Sequence, residues 1–318
     1  MLFNLLKLPA KIAIRFYCKD IYINNPEFLK AKGPLLIACN HPNSFLDAVI
    51  LATLFDKPIY SLARGDAFSN KFTSALLRML NILPVYRISE GAENLNSNYD
   101  TFESCRNIFK NNGIVLIFSE GLCINEWKLR ALKKGTARLA FSSWEEGINL
   151  TVLPTGINYH SFKSFGKKVR LQFGKPFTWK DLDSCKGDGS GIKNFNDLLK
   201  KELVTLVDHI EPHDKTLLAS TFQLQTKQKE NWLLTVPAFA GKWLHAPLYF
   251  PVWRFTKQKA GKSDHFDSIL IGLLFILYPI LLLLLSFLCS RWGVEYALLP
   301  MVILPFCAWA YLQQKKPR

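Results

Sequence analysis

In the stretch Asn40-His41-Pro42-Asn43-Ser44-Phe45-Leu46-Asp47 a histidine and an aspartate stand six positions apart. That pair of side chains can do general-base chemistry: the imidazole takes a proton from a hydroxyl, and the carboxylate fixes its tautomer and stabilises the imidazolium that forms. In a continuous helix six positions advance about 600°, which does not stack two side chains on one face. Pro42 also disfavours an α conformation at His41. His41 is therefore expected on a loop, with a helix starting near Asn43 or Ser44 and Asp47 in its first turn, pointing back at His41. Ser44-Phe45-Leu46-Asp47 also reads as a capping box, in which Asp47 accepts the backbone N–H of Ser44 and His41 faces elsewhere. The residues alone leave both readings open, and the distance from the Asp47 carboxylate to the imidazole separates them.

Other residues could bind an anion or shape a pocket. Arg64 in Leu62-Ala63-Arg64-Gly65-Asp66 and Arg87 in Leu83-Pro84-Val85-Tyr86-Arg87 are guanidinium groups suited to phosphate oxygens, or equally solvated surface charges. Phe118-Ser119-Glu120-Gly121 sets the carboxylate of Glu120 beside Gly121, where the backbone can turn sharply or approach a ligand. Lys134 and Arg138 lie one helical turn apart, useful for an anion but also typical of a solvated face.

The elements that must position these residues alternate. LLIAC (35–39), IYSLA (59–63), IVLIF (114–118), NLTVLP (149–154) and VRLQF (169–173) read as strands, and 44–55, 70–80, 98–111 and 132–144 have helical length. Such β-α alternation predicts an α/β fold with a mainly parallel sheet flanked by helices. His41, Arg64 and Glu120 then follow strands, at the carboxyl ends where ligands of open sheets bind. Residues 185–191, CKGDGSG, form a loop with neither the ending of a phosphate-binding loop nor calcium-ligand spacing.

Residues 268–289 carry no charge, and at about 1.5 Å per residue they span roughly 33 Å, a transmembrane length. After the turn SRWG, residues 294–312 carry only Glu295, so the two form a helical hairpin. Basic residues before the first span and after the second place both ends in the cytoplasm. The spans hold no internal ionisable residue that would mark a substrate path, so the hairpin is expected to anchor rather than catalyse. At the N-terminus Asn4, Lys7, Lys11 and Arg15 make one polar stripe on an apolar helix, which reads as an interfacial amphipathic helix or as a helix packed on the domain. The expected organisation is a membrane-surface helix over 1–18, an α/β catalytic domain over 19–210, a Trp-rich interfacial connection over 211–267, and the hairpin with its basic tail over 268–318.

Composition agrees. The chain has 318 residues, 49% of them hydrophobic and 20% charged, too apolar for a disordered protein. Its net charge of +15 favours a polyanionic partner such as anionic lipid or a phosphorylated substrate. Seven cysteines without a C-x-x-C pair indicate neither a disulfide framework nor a zinc knuckle. Nucleic-acid binding lacks any recognition motif, and the charge clusters beside the membrane segments.

Taken in order, the blocks resemble the glycerophospholipid acyltransferase superfamily, the PlsC-like 1-acylglycerol-3-phosphate acyltransferases and their glycerol-3-phosphate acyltransferase relatives. Asn40, His41 and Asp47 look like the first family block, 84–87 like the second, 118–121 like the third, and Val152-Leu153-Pro154 like the fourth. Five residues rather than four separate His41 from Asp47, a variant of some bacterial and glycerol-3-phosphate-type members, and Ser119 replaces the usual proline. The resemblance implies acyl transfer from a thioester, acyl-CoA or acyl carrier protein, to the hydroxyl of glycerol 3-phosphate or a lysophospholipid, with no metal or cofactor. It implies His41 as base, Asp47 as its orienting partner, Arg87 with Arg64 and Lys134 on the phosphate, and Glu120 and Gly121 shaping the acceptor pocket. The expected location is an integral membrane protein with its catalytic domain on the cytoplasmic face of a bacterial inner membrane, drawn to anionic lipids. A phospholipid or thioester hydrolase is the nearest rival, but no G-x-S-x-G elbow is present. A non-enzymatic lipid-binding membrane protein would leave the His41 and Glu120 blocks without a purpose. His209 and His213 flank Pro212 without metal-site spacing and read as loop histidines.

Overall fold

The computed structural model describes residues 2–86, 95–183, 187–224 and 232–315. Its strands are β1 (Cys18–Ile23), β2 (Leu35–Cys39), β3 (Ile59–Arg64), β4 (Ile82–Val85), β5 (Ile114–Phe118), β6 (Thr151–Tyr159) and β7 (Lys167–Phe173). They make one seven-stranded sheet in the order β1-β7-β6-β2-β5-β3-β4. Every neighbouring pair is parallel except β6 with β7. The fold is thus α/β with a mainly parallel sheet.

Helices cover both faces because the central strands are apolar on both. On β2 the period-two alternation sends Leu35, Ile37 and Cys39 into one core and Leu36 and Ala38 into the other. The first core is closed by α1 (Leu2–Tyr17) and α2 (Phe45–Leu54), through Ile14, Tyr17, Leu46, Ile50 and Leu51. Among the remaining helices, α3 (Lys71–Met79) packs beside β4. The second core is closed by α4 (Leu95–Lys110), α5 (Gly135–Glu145) and α6 (Gly189–Leu206), through Phe109, Leu139, Phe141, Phe195 and Leu199.

Two strands escaped the sequence reading. β1 (CKDIYI) sets Lys19 and Asp20 side by side at one edge of the sheet, and β4 is four residues long, contains Pro84 and forms the other edge, where a missing N–H costs no ladder bond.

The C-terminal region differs from expectation in one element. After α7 (Lys215–Thr221), the stretch read as an irregular interfacial connection contains α8 (Thr235–Ala260), a 26-residue helix with Pro247 and Pro251 inside it. Prolines and scattered charges obscure its period in the sequence, whereas in the fold it is supported by packing on its neighbours. Those are α9 (Phe266–Ser290) and α10 (Leu299–Gln314), which form the hairpin. A Cβ at Gly241 would collide with the Cys307 carbonyl oxygen, so α8 and α10 meet backbone to backbone there. Residues Phe266–Ser290 and Val294–Gln314 are long and apolar enough to cross a membrane. The N-terminal helix is both packed and exposed. Ile14 and Tyr17 are buried and Lys7 Nζ donates to the Phe55 carbonyl at 2.6 Å, while Leu5, Leu8 and Ile12 face outward.

Candidate active site

The parallel register sets Cys39 beside both Phe118 and Thr155, so the segments leaving β2, β5 and β6 emerge at one edge of the sheet. His41 sits on the loop after β2. Ser44 is the residue before α2, with φ at 54°, and makes no side-chain cap. The chain thus turns through a strained left-handed position at Ser44 and delivers Asp47 into the first turn.

The deciding distance falls on the side of the dyad. Asp47 Oδ2 lies 2.9 Å from His41 Nδ1. The capping box does not form, because the Ser44 N–H goes to Cys123 Sγ at 2.9 Å and Asp47 accepts instead from the Asn43 N–H at 2.8 Å. Tyr159, at the end of β6, donates its hydroxyl to Asp47 Oδ1 at 2.7 Å. Asp47 is fully buried, and its carboxylate accepts from the Asn43 N–H and the Tyr159 hydroxyl while facing His41 Nδ1. Burial, followed by the Asp47 charge, pushes the Tyr159 hydroxyl well up, which keeps it a donor.

The imidazole stacks on the Phe118 ring, centroids 3.7 Å apart and planes within 10°. Nδ1 is taken by Asp47, the ring face by Phe118, and Nε2 has no partner among the described residues. With 18% of the side chain exposed, Nε2 is the atom that can meet a hydroxyl.

Glu120 is buried and acts inside the loop framework. Its Oε2 accepts from the His41 N–H and its Oε1 from the Arg130 N–H, both at 2.8 Å. Burial pushes its carboxyl up and those two donors pull against it. Gly121 has φ at +66°, and a Cβ there would meet Lys133 at 2.9 Å. The start of α5 closes on the same strand end, since the Lys133 N–H donates to the Ser119 carbonyl at 2.7 Å and Thr136 Oγ1 to Ser119 Oγ at 3.0 Å. Lys134 is exposed at the head of α5. Arg64, at the end of β3, is exposed and grips Asp66 with its guanidinium, Nε to Oδ1 at 2.7 Å. Arg87 lies outside the described residues. Among the described residues no three His, Cys, Asp or Glu side chains gather as a metal site.

Residues 20–158 match the acyltransferase family model. Over that stretch, somewhat less than half of its length, the chain is similar to the acyltransferase family. The matched stretch runs from within β1 through nearly all of β6, which takes in His41, Asp47 and Glu120. The crystal structure of PlsC, the 1-acyl-sn-glycerophosphate (LPA) acyltransferase of Thermotoga maritima, is similar at 18% identity and a TM-score of 0.44. The likeness covers 62% of this chain and 77% of that one. A search of curated proteins finds no match.

Sequence reasoning missed two groups on the dyad. Tyr159 and Asn43 donate to Asp47 from separations of 112 and 4 residues. Asn40, legible only as part of a motif, bonds both backbone groups of Ile157 and so ties the start of the His41 loop to β6. No local pattern marks a tyrosine at the end of a strand as a carboxylate's partner.

Proposed function

We propose that this chain is a membrane-bound acyltransferase that moves a fatty acyl group from acyl-CoA or acyl carrier protein to the hydroxyl of glycerol 3-phosphate or a lysophospholipid. The observation that carries this reading is the Asp47–His41 contact at 2.9 Å with Nε2 left open beside the Phe118 ring. His41 Nε2 takes the hydroxyl proton as the acceptor oxygen attacks the thioester carbonyl, and Asp47 stabilises the imidazolium. The C–S bond then breaks, the acyl group stays on the acceptor oxygen, and the departing thiolate takes the proton from His41. No acyl-enzyme is needed. Lys134 at the head of α5 is a candidate for the acceptor phosphate, with Arg87 and Arg64. For Arg64 that role requires Asp66 to release it. Glu120 and Gly121 serve by holding the loops that wall the site.

Membrane residence is supported by the two long apolar helices, by the outward Leu5, Leu8 and Ile12 of α1, and by the exposed Val236, Phe239, Trp243, Phe250 and Phe255 of α8. The basic flanks of the hairpin favour a cytoplasmic catalytic face and attraction to anionic lipid.

The test is the purified chain in detergent with labelled acyl-CoA or acyl carrier protein and a panel of acceptors. Label is expected in a new phospholipid, and His41→Ala should reduce that turnover about 10²- to 10⁴-fold in a folded protein. Label appearing only in free fatty acid would identify a hydrolase, and a fully active His41→Ala chain would remove the mechanism.

A further inference from the structure

The first turn of the membrane hairpin reaches into the His41 loop. Asp267, at the head of α9, is fully buried. Its Oδ2 accepts from Asn43 Nδ2 at 2.8 Å, its Oδ1 accepts from the Tyr17 hydroxyl at 2.5 Å, and Lys167 is its ion-pair partner. The Lys167 ammonium also lies over the rings of Tyr17 and Tyr159, at 5.4 and 5.5 Å from their centroids. Neighbouring residues grip the same loop. Ser268 Oγ accepts the Leu46 N–H at 3.2 Å, and His265 Nδ1 meets Ser44 Oγ at 2.7 Å. Asp264 Oδ1 accepts the Asn125 N–H at 2.9 Å, and Asn125 Nδ2 donates to the Pro42 carbonyl at 2.7 Å.

An anchor has no need of this arrangement. A buried carboxylate is a poor way to hold a helix in place, because an apolar residue of similar volume does so as well or better. What the carboxylate adds is a directed bond to Asn43. From there one residue separates it from the dyad: the Asn43 N–H donates to Asp47 Oδ2, the oxygen that faces His41 Nδ1.

We propose that Asp267 is a positioning residue for the acyl transfer, fixing through Asn43 the loop on which Asp47 and His41 meet, so that the hairpin completes the active site as well as anchoring it. The inference rests on the acyl-transfer reading above. Burial pushes the Lys167 ammonium down, while Cys18 and Asp47 pull the other way.

The experiment uses the full chain in detergent, with thermal melting recorded for each variant. Asp267→Asn should lower kcat about 10- to 100-fold, the effect of a misplacement of roughly 1 Å, while KM for donor and acceptor stays within about twofold. Asn43→Ala should do the same. The double variant should be no slower than the slower single one, because both cut the same link. Multiplying losses would show that Asp267 acts through Lys167 or Tyr17 instead, and would overturn the proposal. So would a folded Asp267→Asn chain with the original kcat. If Asp267→Asn fails to melt cooperatively because Lys167 is left unpaired, Asn43→Ala, which leaves that pair intact, decides alone by the same criterion. His41→Ala separates the two levels: an inactive His41→Ala with a fully active Asn43→Ala removes only the positioning role, whereas an active His41→Ala removes the general-base reading itself.

Discussion

At the scale of single residues the site is a histidine constrained on three sides. Asp47 holds Nδ1, Phe118 covers a ring face, and Glu120 holds the backbone N–H. The Asp47 carboxylate is in turn pinned by Tyr159. Removing that hydroxyl leaves Asp47 Oδ1 buried without its donor, which costs about 1–3 kcal/mol. Tyr159→Phe is therefore expected to lower the melting midpoint and to reduce kcat about tenfold or more through a loosened dyad. Turnover and melting measured on one preparation check it, and unchanged kcat would make Tyr159 a support of the fold alone. The spacing of His41 and Asp47 was legible in the sequence, and so was the choice between dyad and cap. The outcome was not, because it depended on where the Ser44 N–H went, and its acceptor is a cysteine 79 positions away.

At the scale of elements, the end of β6 carries a pH-sensitive joint. His160 follows Tyr159, is buried, and accepts the Lys168 N–H at Nδ1 over 2.7 Å, which requires a neutral ring. Burial, helped by the nearby Lys167 charge, lowers its pKa from 6.5 to about 4. Unfolding returns the ring to its ordinary value and takes up a proton. Stability is therefore fully present above about pH 6.5 and is lost as the pH falls toward 4, by on the order of 3 kcal/mol at about 1.4 kcal/mol per unit. His160→Gln should flatten the decline of the melting midpoint between about pH 7 and pH 4. A variant with the same decline as the parent chain would exclude His160 as its source. The same scale explains which elements were legible. β2 and β5 are central, buried on both faces and read as unbroken apolar runs. β1, β4 and α8 were not legible, since two are edges and the third is a helix whose prolines break its local signal while α9 and α10 support it.

At the scale of the whole molecule, the hairpin of α9 and α10 and the α/β sheet region are joined by hydrogen bonds at the His41 loop. Truncation after Lys262 would remove α9 and α10 together with the turn 264–268 that grips the His41 loop. It should move the protein toward the soluble fraction and also lower turnover on detergent-dispersed substrate by about 10-fold or more, not only on bilayers. Fractionation and a paired assay on the two substrate forms check this, and full activity on dispersed substrate would reduce the hairpin to an anchor. The sequence by itself determined the chemistry available, the α/β class and the two apolar spans. Those rest on residue type and on periods of two and about 3.6, which are local properties of a chain. Only the tertiary structure decided that Tyr159 and Asp267 complete the surroundings of Asp47 and Asn43. A hydrogen bond needs two groups within about 3 Å, and chain separations of 112 and 224 residues leave that proximity to the packing of the sheet against α1, α2 and α9.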